Sequence, residues 1–333
     1  MKNSGKKSEY QVKFFTQIKK TLPAHKSLVS EVCDLLNLAD DAAYRRINGK
    51  QLLDFDEIVK LCQHFKISLD SIVGAADQNL LQCKYAPHKI RDIGEYVKYV
   101  QTVAADIKRF RMTPGCELLL TAADIPAFNF LAYKELTLFH TFSWQKILFG
   151  FSAGFDGFLH QFDVEKFAKG CKEISSNYEL IPSSEIWMTN TMDSTIKLII
   201  YHYRMGHFSN ESIPLLLCSQ LLEMINTLHI WLEKGSKGAD NTPYKFYLSE
   251  IDIGNTFFLL KNEALSVSML RLYMINGLSI SDESFCDETA IWHDNLIKRS
   301  TLVSGSSDFE RQKFINAQLQ KIEILKEEIL RTK

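Results

Sequence analysis

The sequence predicts an α+β protein, with an all-helical N-terminal domain followed by a larger, mostly helical domain that contains a C-terminal antiparallel meander. Apolar residues recur at helical spacing in short segments up to residue 76, whereas alternation typical of strands first appears near residue 245. The 333 residues, 46% hydrophobic and 24% charged, are enough for two globular domains. We therefore predict domains at 1–76 and 88–333, joined by a linker at 77–87.

Five short helices are predicted in the N-terminal domain. The first ends before Pro23, because proline cannot continue a helix. Asp54 and Glu57 have the spacing of a capping box and predict the start of the fourth helix. Ser68 and Gly74 enclose a last short turn, which gives the domain the size of a phage-repressor-like DNA-binding domain.

Residues 27–50 are predicted to form two helices joined by a tight turn. Ser27 is the expected N-cap of the first helix, Asp40 caps the second, and Gly49 ends it. In the second helix the small or apolar residues Ala42, Ala43 and Ile47 face inward, and Tyr44, Arg45, Arg46 and Asn48 remain outside. A packed helix followed by a basic, exposed one is typical of a helix-turn-helix, whose second helix lies in the major groove.

The amino-acid sequence of this region also resembles that of a known family. The segments LVSEVCDLLNL, DDAAYRRINGK and FDEIVKLCQHFKISLDSIVG look like the BetR-type branch of the repressor-like (XRE, Cro-like) helix-turn-helix domains. In that branch a Tyr-Arg-Arg-Ile-x-Gly run forms the recognition helix. The chain departs from the branch at Asn48, where a basic residue is common, and at Lys50, where an acid is. The resemblance implies a bacterial-type transcriptional regulator and is limited to the N-terminal domain.

Candidate DNA contacts follow from these residue types. Arginine can pair bidentately with guanine and tyrosine can reach a base, so Tyr44 and Arg45 are the expected base contacts. Asp41 and Asn48 are secondary candidates for base contact. Backbone phosphates are expected to be contacted by Lys26, Ser27, Arg46 and Lys50.

Charge and cysteine usage limit the class of protein. Residues 1–76 carry 12 Lys and Arg against 9 Asp and Glu, a net +3, which leaves −4 on residues 77–333 of a chain with net charge −1. A basic head on an acidic body fits a DNA-binding module attached to another domain. Seven scattered cysteines and an N-terminus without an apolar stretch predict a cytoplasmic protein. The longest apolar run, 212–232, is interrupted by polar residues, so no membrane span is expected.

The second domain is predicted to contain helices at 88–112, 164–178, 185–205, 212–234, around 285–296 and from 308, with strands at 117–121, 245–253, 256–261 and 265–275. Gly254-Asn255 predicts a hairpin between the second and third of these strands. The helix at 88–112 either packs within its own domain or is the seam of a homodimer. The terminal helix is the other candidate for that seam.

Residues 124–162 are unusually aromatic. The rings either form a hydrophobic core or line a ligand cavity, for which Phe139, Phe142 and Trp144 are the candidates. Such a cavity would bind a small-molecule effector.

No catalytic motif is recognised, and we expect no enzymatic activity, cofactor or metal site. His202 and His207 are five residues apart, which is not the spacing of a metal pair on a helix, and Asp156 and His160 lack a third ligand. The expected function is sequence-specific binding of double-stranded DNA by a cytoplasmic homodimer. The alternatives are a scaffold protein that uses the helical head for docking, and an enzyme fused to a DNA-binding head.

Overall fold

A computed structural model of the chain shows a mixed α+β protein. It describes residues 8–22, 26–65, 67, 69, 72, 81–86, 93–263, 265–272 and 276–331. The chain forms two compact units, Met1–Gln82 and Cys83–Lys333, which we call unit 1 and unit 2. Each unit has a hydrophobic core of its own.

Four helices are described in unit 1: α1 (Glu9–Thr21), α2 (Leu28–Leu36), α3 (Asp40–Ile47) and α4 (Phe55–Phe65). The buried residues that form the core of unit 1 are Phe14, Phe15, Ile18, Val32, Ala43, Leu61 and Ile72. The predicted fifth helix, from Leu69 to Val73, lies largely outside the described residues. Because the four helices are short, their mutual packing and not helix propensity stabilises them.

The described part of unit 2 contains nine strands: β1 (Lys84–Ala86), β2 (Glu117–Ala122), β3 (Ser183–Met188), β4 (Ser236–Lys237), β5 (Thr242–Ser249), β6 (Phe257–Lys261), β7 (Ser266–Leu272), β8 (Asn276–Ile280) and β9 (Thr301–Leu302). They form one sheet in the order β1-β8-β7-β6-β2-β3-β5-β4, with β9 paired to β5. The central strands β2, β3 and β5 are parallel. The strands β6, β7, β8 and β1 continue the sheet in antiparallel pairs.

The helices of unit 2 are α5 (Ile93–Arg111), α6 (Ala127–Phe130), α7 (Lys134–Phe149), α8 (Phe155–Leu159), α9 (Val164–Tyr178), α10 (Asp193–Arg204), α11 (Ser212–Lys234), α12 (Glu283–Ile297) and α13 (Asp308–Arg331). Trp187 on one face of β3 belongs to the large core shared with most of these helices. Ile186 and Met188, on the other face, pack with Leu296 of α12. The sheet therefore lies between α12 and the remaining helices. The helices predicted at 164–178 and 212–234 are confirmed.

Two predictions for this region are wrong. Residues 183–188, assigned in part to a helix from 185, form β3, in which every residue is buried. A strand covered on both faces shows no alternation, so its pattern does not distinguish it from a buried helix. The hairpin at Gly254-Asn255 is not formed, because β2 and β3 lie between β5 and β6 in the sheet. A turn signal marks where the chain bends and not which strands pair.

A short strand also lies in the segment predicted as a linker. Residues 84–86 form β1, and Tyr85 is opposite Leu278 of β8 in an antiparallel pair. Three residues are too few to show a strand period. The fourth predicted strand, 265–275, corresponds to β7, which ends at Leu272; residues 273–275 lie outside the described residues.

The two helices proposed as dimer seams pack inside unit 2. The side chains of Val100 and Ile107 on α5 are buried, and this helix packs against α9. On α13, Ile322, Leu325 and Ile329 are buried, and the helix packs against α10 and α11. For α5 this favours the alternative of packing within its own domain, and the apolar face of α13 is likewise part of the core of unit 2.

Candidate nucleic-acid interface

The connection between α2 and α3 is short and well defined by backbone hydrogen bonds. Asn37 adopts the left-handed conformation at φ 55°, and the N–H of Leu38 donates to the carbonyl of Cys33 at 3.0 Å. The N-cap of α3 is Ala39 and not Asp40, which is the first residue of the helix. Asp40 and Asp41 thus lie in the first turn, where carboxylates interact favourably with the helix dipole.

The outer side of α3 combines an aromatic side chain with positive charge. Tyr44 is 60% exposed, and Arg45 and Lys50 are exposed beside it. Ala43, on the opposite side of the helix, is fully buried in the core of unit 1. Asp41 is exposed in the first turn, so negative charge lies at the start of the helix and positive charge at its end.

Arg46, predicted to contact phosphate, is instead an internal ion-pair partner. Its guanidinium meets the Glu57 carboxylate twice, Nη2 to Oε1 at 2.8 Å and Nε to Oε2 at 3.0 Å, and its side chain is only 11% exposed. Glu57 and Asp54 also form the predicted capping box. The backbone N–H of Asp54 donates to Glu57 Oε2 at 3.1 Å, and the backbone N–H of Glu57 donates to Asp54 Oδ1 at 2.8 Å. Arg46 therefore joins α3 to the start of α4.

The other predicted DNA contacts differ in the hydrogen bonds and ion pairs that their side chains form. The Nδ2 of Asn48 donates to the carbonyl of Tyr44 at 2.9 Å, which places Asn48 in the helix cap and not among the exposed side chains. Lys26 forms a 2.7 Å surface ion pair with Glu31, and such pairs are weak enough for a lysine to exchange partners. Ser27 is the N-cap of α2 as predicted, and its hydroxyl makes no cap hydrogen bond.

Gln11 of α1, which was not predicted as a site residue, holds the C-terminal end of α3. Its Nε2 donates to the carbonyls of Arg46 and Gln51, both at 2.7 Å, and its Oε1 accepts from the N–H of Leu53 at 3.0 Å. Gln11 precedes Phe14, Phe15 and Ile18 at helical spacing and so lies on the buried face of α1. A polar residue on the apolar face of a helix is the sequence signal by which Gln11 could have been found.

Gly49 completes this junction. Its φ is +68°, and a Cβ there would lie 3.2 Å from the backbone N and O of Ser8 and 3.3 Å from Val12 Cγ2. Glycine is required both for the left-handed conformation and for the close approach of α1.

Gly49→Ala is therefore expected to destabilise unit 1 by roughly 2–3 kcal/mol, from the φ cost together with the crowding. Gly150→Ala is the matched control, because Gly150 has the same φ of +68° and a Cβ added to it would meet no atom within 4 Å. Hydrogen exchange of peptides around each glycine measures both effects. Equal loss of protection at the two sites would show that the contacts with Ser8 and Val12 do not matter.

Two large apolar side chains are exposed next to this surface. Leu52 is 69% exposed and Phe55 is 73% exposed, on the connection between α3 and the first turn of α4. Asp54 and Asp56 are exposed beside them. Negative charge disfavours a phosphate at this place, and exposed apolar groups are typical of protein contacts.

The aromatic run of unit 2 is packed as a core. Phe139 and Phe142 are fully buried, and Trp144 is nearly so. The Phe142 ring lies 5.4 Å from that of Phe155 and 5.8 Å from that of Phe158, in tilted and edge-on arrangements. These contacts favour the core alternative over a ligand cavity lined by the same rings.

Unit 2 contains a buried polar network centred on Glu185 of β3. The donors to its carboxylate are Tyr178, Ser183, Trp187 and Tyr244. The buried Lys237 donates from Nζ to Ser183 Oγ at 2.7 Å and lies 3.5 Å from the centre of the Tyr178 ring. Burial lowers the pKa of Lys237 from 10.5 to about 7, although Glu185 and Glu179 act in the opposite direction. The network ties β3 to β4 and β5.

His202 and His207 contact each other in unit 2, with 2.8 Å between their Nδ1 atoms. Burial, followed by the charges of His207 and Lys146, lowers the pKa of His202 to about 4, so the ring is neutral at physiological pH. Nε2 of His202 is 2.9 Å from Ser143 Oγ. Across the described residues, no group of three or more His, Cys, Asp or Glu side chains has the geometry to hold a metal ion.

Comparison of the chain with protein-family models, with curated proteins and with solved structures finds no match. Within the described residues, one helix, Ser212–Lys234, is long and apolar enough to cross a membrane by length and composition alone. Its inner face packs in the core of unit 2, and a core helix of a globular unit meets the same criteria.

Proposed function

We propose that the protein is a sequence-specific regulator that binds double-stranded DNA through a helix-turn-helix formed by α2 and α3. The observation that carries the proposal is the exposed Tyr44–Arg45 pair on a short helix that α1 and α4 hold by polar contacts. The likeness of this region to BetR-type, repressor-like domains supports the same function. Unit 2 serves as a sensing or dimerisation domain.

The dimensions and chemistry of α3 suit the major groove. An α-helix with its side chains is about 10–12 Å across, which fits the groove's width of about 12 Å. Arg45 reads a guanine by its two parallel N–H donors, and Tyr44 contacts a neighbouring base, with Asp41 as a secondary base contact. Lys26, Ser27 and Lys50 contact phosphates. Arg46 and Asn48 support the helix and do not contact DNA.

One head of this size buries little surface on DNA, and repressor-like heads usually pair on two half-sites about one helical turn apart. We therefore propose that the protein acts as a homodimer held by unit 2, through a surface other than the buried faces of α5 and α13. A small-molecule effector bound by unit 2 would change the spacing of the two heads.

The test begins with selection of duplexes from a random library by the full-length protein, followed by fluorescence anisotropy with the enriched duplex. Arg45→Ala is expected to weaken specific binding by about 1–3 kcal/mol and to relax the preference at one base pair. Arg45→Lys is the matched control for charge, since lysine keeps the cation and loses the bidentate geometry. It should lose nearly as much specificity.

Lys50→Ala tests the phosphate contacts in the same assay. It should weaken binding to all duplexes alike. The slope of the logarithm of the binding constant against the logarithm of the salt concentration should become shallower by about one. Equal affinity of Arg45→Ala and wild type for the enriched duplex would contradict base reading by α3.

Leu52 and Phe55 support a second candidate function, in which unit 1 docks another protein. Their exposure of 69% and 73% provides apolar contact area where Asp54 and Asp56 oppose DNA. Under this alternative the wild-type protein enriches no duplex sequence from the library. The selection experiment therefore separates the two functions directly.

A further inference from the structure

Apolar packing holds α3 through few side chains. Among its eight residues Ala43 is fully buried, and Ile47 packs partly buried against the core of unit 1. An isolated helix of this length is marginal in water. Polar contacts add to this packing, and those of Arg46 and of the segment after it lie at the C-terminal end of α3.

We propose that Gln11 is a positioning residue that sets the orientation of α3 for base reading; this rests on the function proposed above. Its carboxamide contacts three backbone groups, the carbonyls of Arg46 and Gln51 at 2.7 Å and the N–H of Leu53 at 3.0 Å. The first lies at the end of α3, and the other two lie in its connection to α4. A single buried amide thus defines where α3 ends and where the following segment begins.

The geometry of this contact is demanding. Both N–H donors of the amide and its oxygen are used, so no other side chain of similar size satisfies all three backbone groups. Arg45 precedes the clamped carbonyl of Arg46 by one residue, so a rotation at that carbonyl turns Arg45 with it. Recognition tolerates errors of only about 0.5 Å and 10–20° in such groups.

Arg46 and Glu57 reinforce the same junction. Their ion pair joins α3 to α4, while Gln11 joins α3 to α1. Gly49 lets the start of α1 approach within contact distance, since a Cβ there would meet Ser8. The three contacts surround the end of α3 and leave its outer side free for the groove.

The test uses the full-length protein with Gln11→Glu, which keeps the shape of the side chain and loses both donors. The matched control is Gln17→Glu, which makes the same charge change on the exposed side of α1. Affinities are measured by anisotropy for the duplex enriched by the wild type and for a scrambled duplex of equal composition. We expect the ratio of the two affinities to fall at least tenfold in Gln11→Glu and to stay unchanged in Gln17→Glu.

This ratio separates positioning from simple stability. An unfolded fraction lowers both affinities by the same factor, so the ratio of a partly unfolded variant still reports the folded state. If Gln11→Glu leaves no folded unit 1, the neutral Gln11→Met replaces it in the assay. An unchanged ratio in the folded variant overturns the proposal while leaving DNA binding intact. Enrichment of no sequence by the wild type overturns the function itself, and the positioning role with it.

Discussion

Val100→Asp is expected to unfold unit 2 and not to produce a folded protein that has only lost self-association. Val100 is 4% exposed on α5, and its Cγ1 would lie 2.9 Å from a Cβ placed at Gly170 of α9. The gap between the two helices is therefore too small to admit water around a carboxylate. An unpaired charge in such a place costs about 3–5 kcal/mol or more, a large share of the 5–15 kcal/mol that stabilises a typical domain.

Tryptophan fluorescence measures this unfolding selectively. The chain has four tryptophans, at positions 144, 187, 231 and 292, and all of them lie in unit 2. The matched control is Gln101→Asp, which adds the same charge at an exposed position of α5. It should melt like the wild type. A folded Val100→Asp protein that has lost self-association would restore α5 as a dimer seam.

Helix α5, predicted at 88–112, shows what the periodicity of apolar residues can establish. The spacing of apolar residues identifies the inner face of a helix such as α5, and it also predicted the bounds of α9. It does not identify what that face contacts, because a neighbouring helix of the same chain and a second subunit require the same residues. The structure assigns the face of α5 to α9.

The capping box was predicted correctly because its contacts are local. The capping box of Asp54 and Glu57 involves residues three apart, and the prediction holds in both hydrogen bonds. The two neighbouring arginines could not be distinguished in the same way. Successive helix residues point about 100° apart, so only the packing of α4 decides that Arg46 meets Glu57 and Arg45 faces solvent.

Contacts between segments far apart in the sequence could not be predicted from the pattern of neighbouring residues. Lys237 lies in a stretch rich in glycine and polar residues that is typical of a loop, and its partner Ser183 lies 54 positions earlier. Ser183, Glu185 and Trp187 alternate along β3 and face the same side of the sheet. Only the parallel pairing of β3 with β5 brings Tyr244 to the same carboxylate.

The second large effect concerns pH and Lys237. Its pKa is lowered from 10.5 to about 7 in the folded protein, mainly by burial. Between these two pH values the unfolded chain holds a proton that the folded chain has released. The free energy of unfolding therefore rises with pH in this window, by up to about 1.4 kcal/mol per pH unit. Below pH 7 both states are protonated and the full penalty of the buried cation is present.

Other groups oppose this trend at the alkaline end. Burial raises the pKa of Tyr178 and Tyr244 well above 10, and that of the Cys171 and Cys218 thiols to about 12. Stability from such groups is lost as the unfolded forms ionise, from about pH 9 for cysteine and 10 for tyrosine. The contribution of Lys237 must therefore be obtained as the difference between wild type and a variant that keeps these groups.

Lys237→Met provides that difference, because methionine has a similar unbranched shape and no charge. Urea unfolding of both proteins, followed by tryptophan fluorescence at pH 7, 8 and 9, yields the free energy of unfolding of unit 2. We expect the free energy of unfolding of the wild type, relative to that of the variant, to increase by about 1 kcal/mol per pH unit. The exposed Lys245 of β5 supplies the control, since Lys245→Met should follow the wild type at every pH. A constant difference between wild type and Lys237→Met would mean that the folded protein keeps Lys237 charged, with Glu185 as its full counter-charge across Ser183.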